Sequence, residues 1–146
     1  MLKWSQANAK TKNLKKIKEL QPWLSSHNQV WSLDLLSGHS CPYAKECLSK
    51  VEIVAGKRVI IDGPDTEFRC FSASQEALFP KVYERRKHNL DLLRAAPGID
   101  GKFRLLEESL PDKAGIIRIH VAGDFFNQDY FDAWVKLAEC NLDRLF

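Results

Sequence analysis

The chain is 146 residues long, the length of one domain or of one domain with an appendage. A hydrophobic fraction of 45%, 28% charged residues and 8 Phe, 4 Trp and 3 Tyr supply a core and exclude a disordered or low-complexity chain. The net charge of +3 is uneven, because residues 1–20 hold six lysines (Lys3, Lys10, Lys12, Lys15, Lys16, Lys18) against one acid, Glu19.

The expected organisation is a basic arm over residues 1–20 and a single α/β body over 21–146. The arm reads either as a solvated helical face or as a contact for nucleic acid. No stretch reaches the roughly 18 consecutive apolar residues of a membrane span, and the basic start lacks the apolar segment of a secretory signal. The expectation is therefore a soluble cytoplasmic protein with no membrane partner.

Residues 13–24 place Leu14, Ile17, Leu20 and Leu24 at helical intervals, predicting a short amphipathic helix interrupted at Pro22. Gln29 to Leu36 alternates Val30, Ser32 and Asp34 with Trp31, Leu33 and Leu35, a strand with one apolar face that ends at Ser37-Gly38. The runs Val51–Val54 and Val59–Ile61 flank Ala55-Gly56-Lys57 and predict a hairpin. Ser72 and Gln75 have the spacing of a capping box, so a helix starts just after Cys70 and is divided by Pro80. Its second part, Lys81 to Ala95, turns Val82, Leu90 and Leu93 inward. Pro97-Gly98 marks a loop, and Phe103 to Leu110 a short helix stopped by Pro111. Ile116 to Val121 is the strongest strand, followed by Ala122-Gly123-Asp124. Asn127 is a good cap for a helix with Tyr130, Phe131, Trp134, Leu137 and Ala138 on one face. Arg144-Leu145-Phe146 reads as the opening of a third strand. Such alternation predicts a small parallel sheet with crossover helices and a hairpin insertion, or a barrel cut short.

In such sheets chemistry collects at the carboxyl ends of the strands. Cys41 and Cys47 follow the first strand, and the hairpin can fold Cys70 back beside them. Three soft thiolates at C-x5-C-x22-C suit an iron–sulfur cluster, expected as [4Fe–4S] with one iron left for a fourth ligand or a substrate. His39 is the fourth-ligand candidate. It also completes the alternative, a Cys3His zinc site in a nucleic-acid-binding module. In a third reading the cysteines are small core residues, and that reading is preferred for Cys140. His120 and Asp124 bracket the end of the second strand as candidate catalytic groups for proton handling or substrate binding, or as a satisfied interior histidine and a turn cap. Arg85, Arg86, Lys87 and His88, with Arg94 and Lys102 downstream, form a solvated face or a phosphate-binding patch.

The strings SLDLLSGHSCPYAKECLSK, FRCFSASQEALFP and IRIHVAGDFFNQDYFDAW resemble the phage gene product 88 family, from about Lys3 to Phe146. Members of that family continue with more strand-rich sequence, so the resemblance implies a match to their N-terminal half. It implies no activity. A looser, fold-level similarity is to radical-SAM enzymes, with Cys41, Cys47 and Cys70 as the cluster loop and Gly123-Asp124 as the turn for the methionyl amine. The cysteine spacing, the intervening hairpin and the chain length all depart from that pattern.

Overall fold

The structure, a computed structural model, describes residues 1–6, 11, 13–24 and 29–146. Lys10 and Lys12 of the basic arm lie outside the described residues. Three strands form the central sheet in the order β1 (Ser5–Gln6), β2 (Gln29–Ser32), β5 (Ala114–Arg118). β1 runs antiparallel to β2, pairing Ser5 with Ser32, whereas β2 and β5 are parallel, with Val30 opposite Ile116 and Ser32 opposite Arg118. Leu145 bridges Ile116 in the parallel sense on β5. Where a third strand was expected, at Arg144-Leu145-Phe146, there is this single bridge and no strand ladder. The sheet is open, not a closed barrel.

The hairpin forms a separate two-stranded sheet, β3 (Ser49–Val54) and β4 (Lys57–Asp62), in unbroken register from Ser49–Asp62 to Val54–Lys57. Its turn is Ala55-Gly56 alone, both at positive φ, which matches the twist of a two-residue hairpin loop. Four α-helices follow: α1 (Phe71–Leu78), α2 (Pro80–Ala95), α3 (Gly98–Ser109) and α4 (Gln128–Cys140). None is long and apolar enough to cross a membrane, among the described residues.

The main core fills one side of the sheet. Leu33, Leu35 and Ile117 meet Leu90 and Leu93 of α2, Leu106 of α3, and Tyr130, Trp134 and Leu137 of α4, all nearly inaccessible. The other side is smaller: Val30 and Ile116 pack against Leu24, Leu14, Leu20 and Trp23. Both faces of the parallel pair are therefore covered, which is why Gln29–Leu36 is apolar beyond simple alternation.

Several expectations need correction. Residues 13–24 form two 3-10 segments, Asn13–Lys16 and Lys18–Trp23, with Pro22 inside the second, not an α-helix. The first strand stops at Ser32, four residues short, because the chain leaves the ladder to form the buried segment Leu33–Leu36. Ser72 is not a cap: it lies inside α1, whose N-cap is Cys70 with no side-chain bond. Val82 is only half-buried. α3 begins five residues before Phe103, at Gly98, since the Pro97-Gly98 pair starts the helix rather than sitting in a loop. β5 ends at Arg118, two residues before His120. Cys140, on the inward stripe of α4 by spacing, is exposed, because it is the last helical residue, one turn beyond the last buried one, Leu137. Asn127 does cap α4, its Oδ1 accepting from Tyr130 N at 2.9 Å.

The first residues of the basic arm belong to the body. Leu2 is buried and its N–H donates to Ser109 Oγ at 2.9 Å, while Lys3 exchanges backbone bonds with the Asn89 amide.

Candidate functional site

The turn after β2 and the turn after β5 meet at the carboxyl end of the parallel pair. Leu35 N–H donates to Ala122 O at 3.0 Å, and Val121 N–H to Asp34 Oδ1 at 2.8 Å. The Ser40 hydroxyl donates to Leu36 O at 2.7 Å and accepts from Asp124 N–H at 3.2 Å. This approach needs glycine. A Cβ on Gly123, at φ +84°, would lie 2.6 Å from Ser40 Oγ and 2.7 Å from Leu35 Cβ. The cysteine loop and the Gly-Asp turn therefore share one rim, as their positions after consecutive parallel strands predicted.

Cys41 opens that loop, half-buried. Burial pushes its thiol up from the ordinary value. Hydrogen bonding to Gly38 and Ser40 pulls it back, and the neighbouring Asp124 and Cys70 add to the upward push. Gly38, three residues before Cys41 and at φ +72°, packs so closely on Ser49 that a Cβ there would lie 2.5 Å from Ser49 O. Cys70 sits at the start of α1 and its N–H donates to Ser49 Oγ at 3.2 Å. Cys47 lies between two fastenings of the same loop. Glu46 O accepts from Glu67 N and Phe68 N, at 2.7 and 3.1 Å, and Leu48 O accepts from Gly63 N and Thr66 Oγ1, at 2.6 and 2.8 Å. The hairpin thus folds the chain so that the segment before Cys70 lies against the segment holding Cys47. All three thiols are half-buried, which suits neither core filler nor a fully solvated loop. Among the described residues no three His, Cys, Asp or Glu side chains converge tightly enough to hold a metal ion.

His39 faces the hairpin. Its Nε2 lies 3.0 Å from Val51 O, and a carbonyl only accepts, so Nε2 carries the proton and Nδ1 is the atom left for a metal. Glu52 Oε1 is 4.0 Å from the same nitrogen. Arg94 of α2 clamps the segment, donating to His39 O at 2.6 Å with its guanidinium 5.8 Å from the Phe126 ring.

His120 and Asp124 part company. His120 Nε2 is 3.0 Å from Tyr130 Oη, and its ring packs edge-on to Phe125. Burial lowers its pKa to about 4, against an opposite pull from Asp124 and Asp34, so the ring is neutral at pH 7. It is a desolvated histidine in an aromatic cluster. Asp124 is exposed on the rim, its Oδ1 accepting from Phe125 N at 2.7 Å. Beside the cysteine loop, Pro42, Tyr43, Phe125, Phe126 and Phe131 line a crevice, with Tyr43 88% exposed.

Apart from Arg85, the residues of the basic run are engaged with other groups of the chain. Lys87 pairs with Asp91, His88 meets Met1 O, Arg94 holds His39, and Lys102 is buried with its ammonium on Ala96 O and Gly98 O. Arg86 is 3% exposed and pairs at 2.9 Å with Glu76, which is fully buried. Glu76 also accepts from Ser37 N and Ser37 Oγ, at 3.1 and 2.9 Å. Sequence reading missed this tie between α1, α2 and the start of the cysteine loop. A signal was present: Arg86, Asn89, Leu90 and Leu93 have the spacing of an inward helical stripe, with Arg86 as its first member.

The family described as Gene product 88 matches residues 2–146, and the chain belongs to this phage family. No curated protein and no solved structure matches it.

Proposed function

We propose that this Gene product 88 family member binds an iron–sulfur cluster, of the [4Fe–4S] type, through Cys41, Cys47 and Cys70 at the carboxyl rim of its sheet. The observation that carries the reading is that Ser49 joins the two segments, with Gly38, three residues before Cys41, packed on its backbone and Cys70 N–H donating to its Oγ, while Cys47 is pinned in the loop between them. The donor set is soft, as a cluster requires. A single zinc ion needs its ligands converging at about 2.3 Å for sulfur. A cubane spreads its thiolates over separate irons, so it asks for less convergence than the zinc alternative.

When bound, such a cluster supplies one-electron redox chemistry whose potential depends on hydrogen bonds and solvent exposure. The chain's own groups have separable parts in this reading. Cys41 gives up a proton that burial otherwise retains, so loading releases acid and strengthens as pH rises. Glu76 and Arg94 hold the two flanks of the loop, at Ser37 and His39. His39 Nδ1 is the candidate fourth donor. Asp124 offers an exposed carboxylate to a substrate amine or hydroxyl, whereas His120, neutral and bonded to Tyr130, acts as a packing group at neutral pH.

The host cytoplasm, where thiols stay reduced, is the compartment this chemistry fits. The likeness to radical-SAM enzymes adds only the shared rim of cysteines and Gly123-Asp124, and no step is derived from it. The test is anaerobic purification with cluster reconstitution, followed by absorption spectroscopy and iron, sulfide and zinc analysis. The expected result is a brown protein absorbing near 400 nm with about four irons per chain, and loss of most iron in Cys41→Ser and Cys70→Ser. Stoichiometric zinc in a colourless protein, or iron content unchanged by both substitutions, overturns the reading.

A further inference from the structure

A second cavity, of about 550 Å³, opens beside the carboxyl ends of β2 and β5, bounded by the β1 segment and by α1 and α2. Its walls include Trp4, Trp31, Asp34, Arg85, Arg86 and Arg118. Four of these carry buried N–H groups with no hydrogen-bond partner among the described residues: Trp4 Nε1, Trp31 Nε1, Arg85 Nε and Arg86 Nε. Buried polar groups are rarely left unpaired, because each costs roughly 1–3 kcal/mol. Here all four orphans belong to residues that line one cavity, and all four are donors.

The charge of the cavity points the same way. Arg86 is matched by Glu76, but Arg85 and Arg118 have no acidic partner within ion-pair distance among the described residues. Against them stands one further carboxylate, Asp34, whose Oδ1 already accepts from Val121 N–H. Among the described residues the site thus presents two guanidinium groups without a carboxylate partner, Arg85 and Arg118, and the Asp34 carboxylate beside the hydroxyl and amide side chains of Ser5, Gln6, Ser32 and Gln75. Two indoles and Phe79 provide flat apolar walls. The volume lies in the ordinary range for small-molecule sites, about 300–1,000 Å³.

We infer that this cavity binds a nucleoside monophosphate, with the arginines on the phosphate, the indoles against the base, and Asp34 accepting from a sugar hydroxyl or base amino group. Guanidinium forks match phosphate oxygens, and aromatic faces stack any base. Its place outside the carboxyl ends of parallel strands is the usual one for ligands of open α/β sheets. The inference is independent of the cysteine rim, and so is its test.

The full chain, prepared without metal, is titrated with AMP, CMP, adenosine and inorganic phosphate, followed by tryptophan fluorescence and calorimetry. The expected result is saturable binding of a nucleotide that perturbs the fluorescence, with adenosine about tenfold or more weaker, and with affinity falling as salt is raised. Arg85→Met and Arg118→Met keep the apolar stem and should each weaken the nucleotide about tenfold at unchanged melting temperature. No binding of any probe at millimolar concentration overturns the inference. So does phosphate binding as tightly as AMP, which removes the role of the indoles, or nucleotide affinity that both substitutions leave unchanged.

Discussion

Replacing Arg86 by methionine keeps most of the side chain's volume and removes the guanidinium that faces Glu76. Glu76 is fully buried, so its carboxyl would then rest on Ser37 N–H and Ser37 Oγ alone. Burial already pushes that carboxyl up against the pull of Ser37 and Arg86. Removing one partner of a buried ion pair costs about 3–5 kcal/mol, because the remaining charge is stranded. That is a large share of the roughly 5–15 kcal/mol that holds a domain of this size folded. In Glu76→Gln/Arg86→Met the stranded charge is gone, and the amide oxygen still accepts from Ser37. The double variant should therefore be more stable than Arg86→Met alone by about 2 kcal/mol. Urea unfolding of the wild type, both single variants and the double variant, followed by circular dichroism, measures the coupling. The reasoning fails if Arg86→Met costs less than about 1 kcal/mol, or if the double variant loses the sum of the two single losses. Because Ser37 starts the cysteine loop, Arg86→Met should also quicken alkylation of Cys41 under native conditions.

His120 supplies a pH dependence. Its pKa falls from 6.5 to about 4 on folding, so the unfolded chain takes up the proton first and stability drops as pH falls between those values. The full effect is about 3 kcal/mol at pH 4, and His120→Gln should flatten that part of the pH profile; an unchanged acid limb in unfolding titrations contradicts the assignment. Gly123→Ala forces a Cβ onto Ser40 Oγ and Leu35 Cβ at a left-handed φ. It should destabilise by about 2 kcal/mol or more in thermal melts and loosen the rim, with faster thiol modification as the readout. Asn127→Ala removes the one bond to Tyr130 N–H and should cost about 1 kcal/mol in denaturant unfolding, whereas Asn127→Asp should be nearly neutral.

Elements whose cause is local were legible in the order of the residues. The two apolar strand runs, the hairpin at Ala55-Gly56, the break at Pro80 and the cap at Asn127 follow from β-branched density, turn chemistry and capping, which act within a few residues. The shared rim was also legible, because consecutive parallel strands end on the same side and carry their loops there. Tertiary structure decided what depends on partners distant in the chain. The surroundings of His120 were set only when Tyr130 and Phe125 closed around it and lowered its pKa to about 4. Arg86 looked like one of four solvated cations until Glu76, across Pro80, met it in the interior. Trp31 read as one face of a strand, and only the packing of β1 on β2 brought it together with Trp4 in the wall of a cavity that Arg85 and Arg118 also line. Burial and charge pairing are properties of neighbours in space, and a single sequence gives the neighbours along the chain.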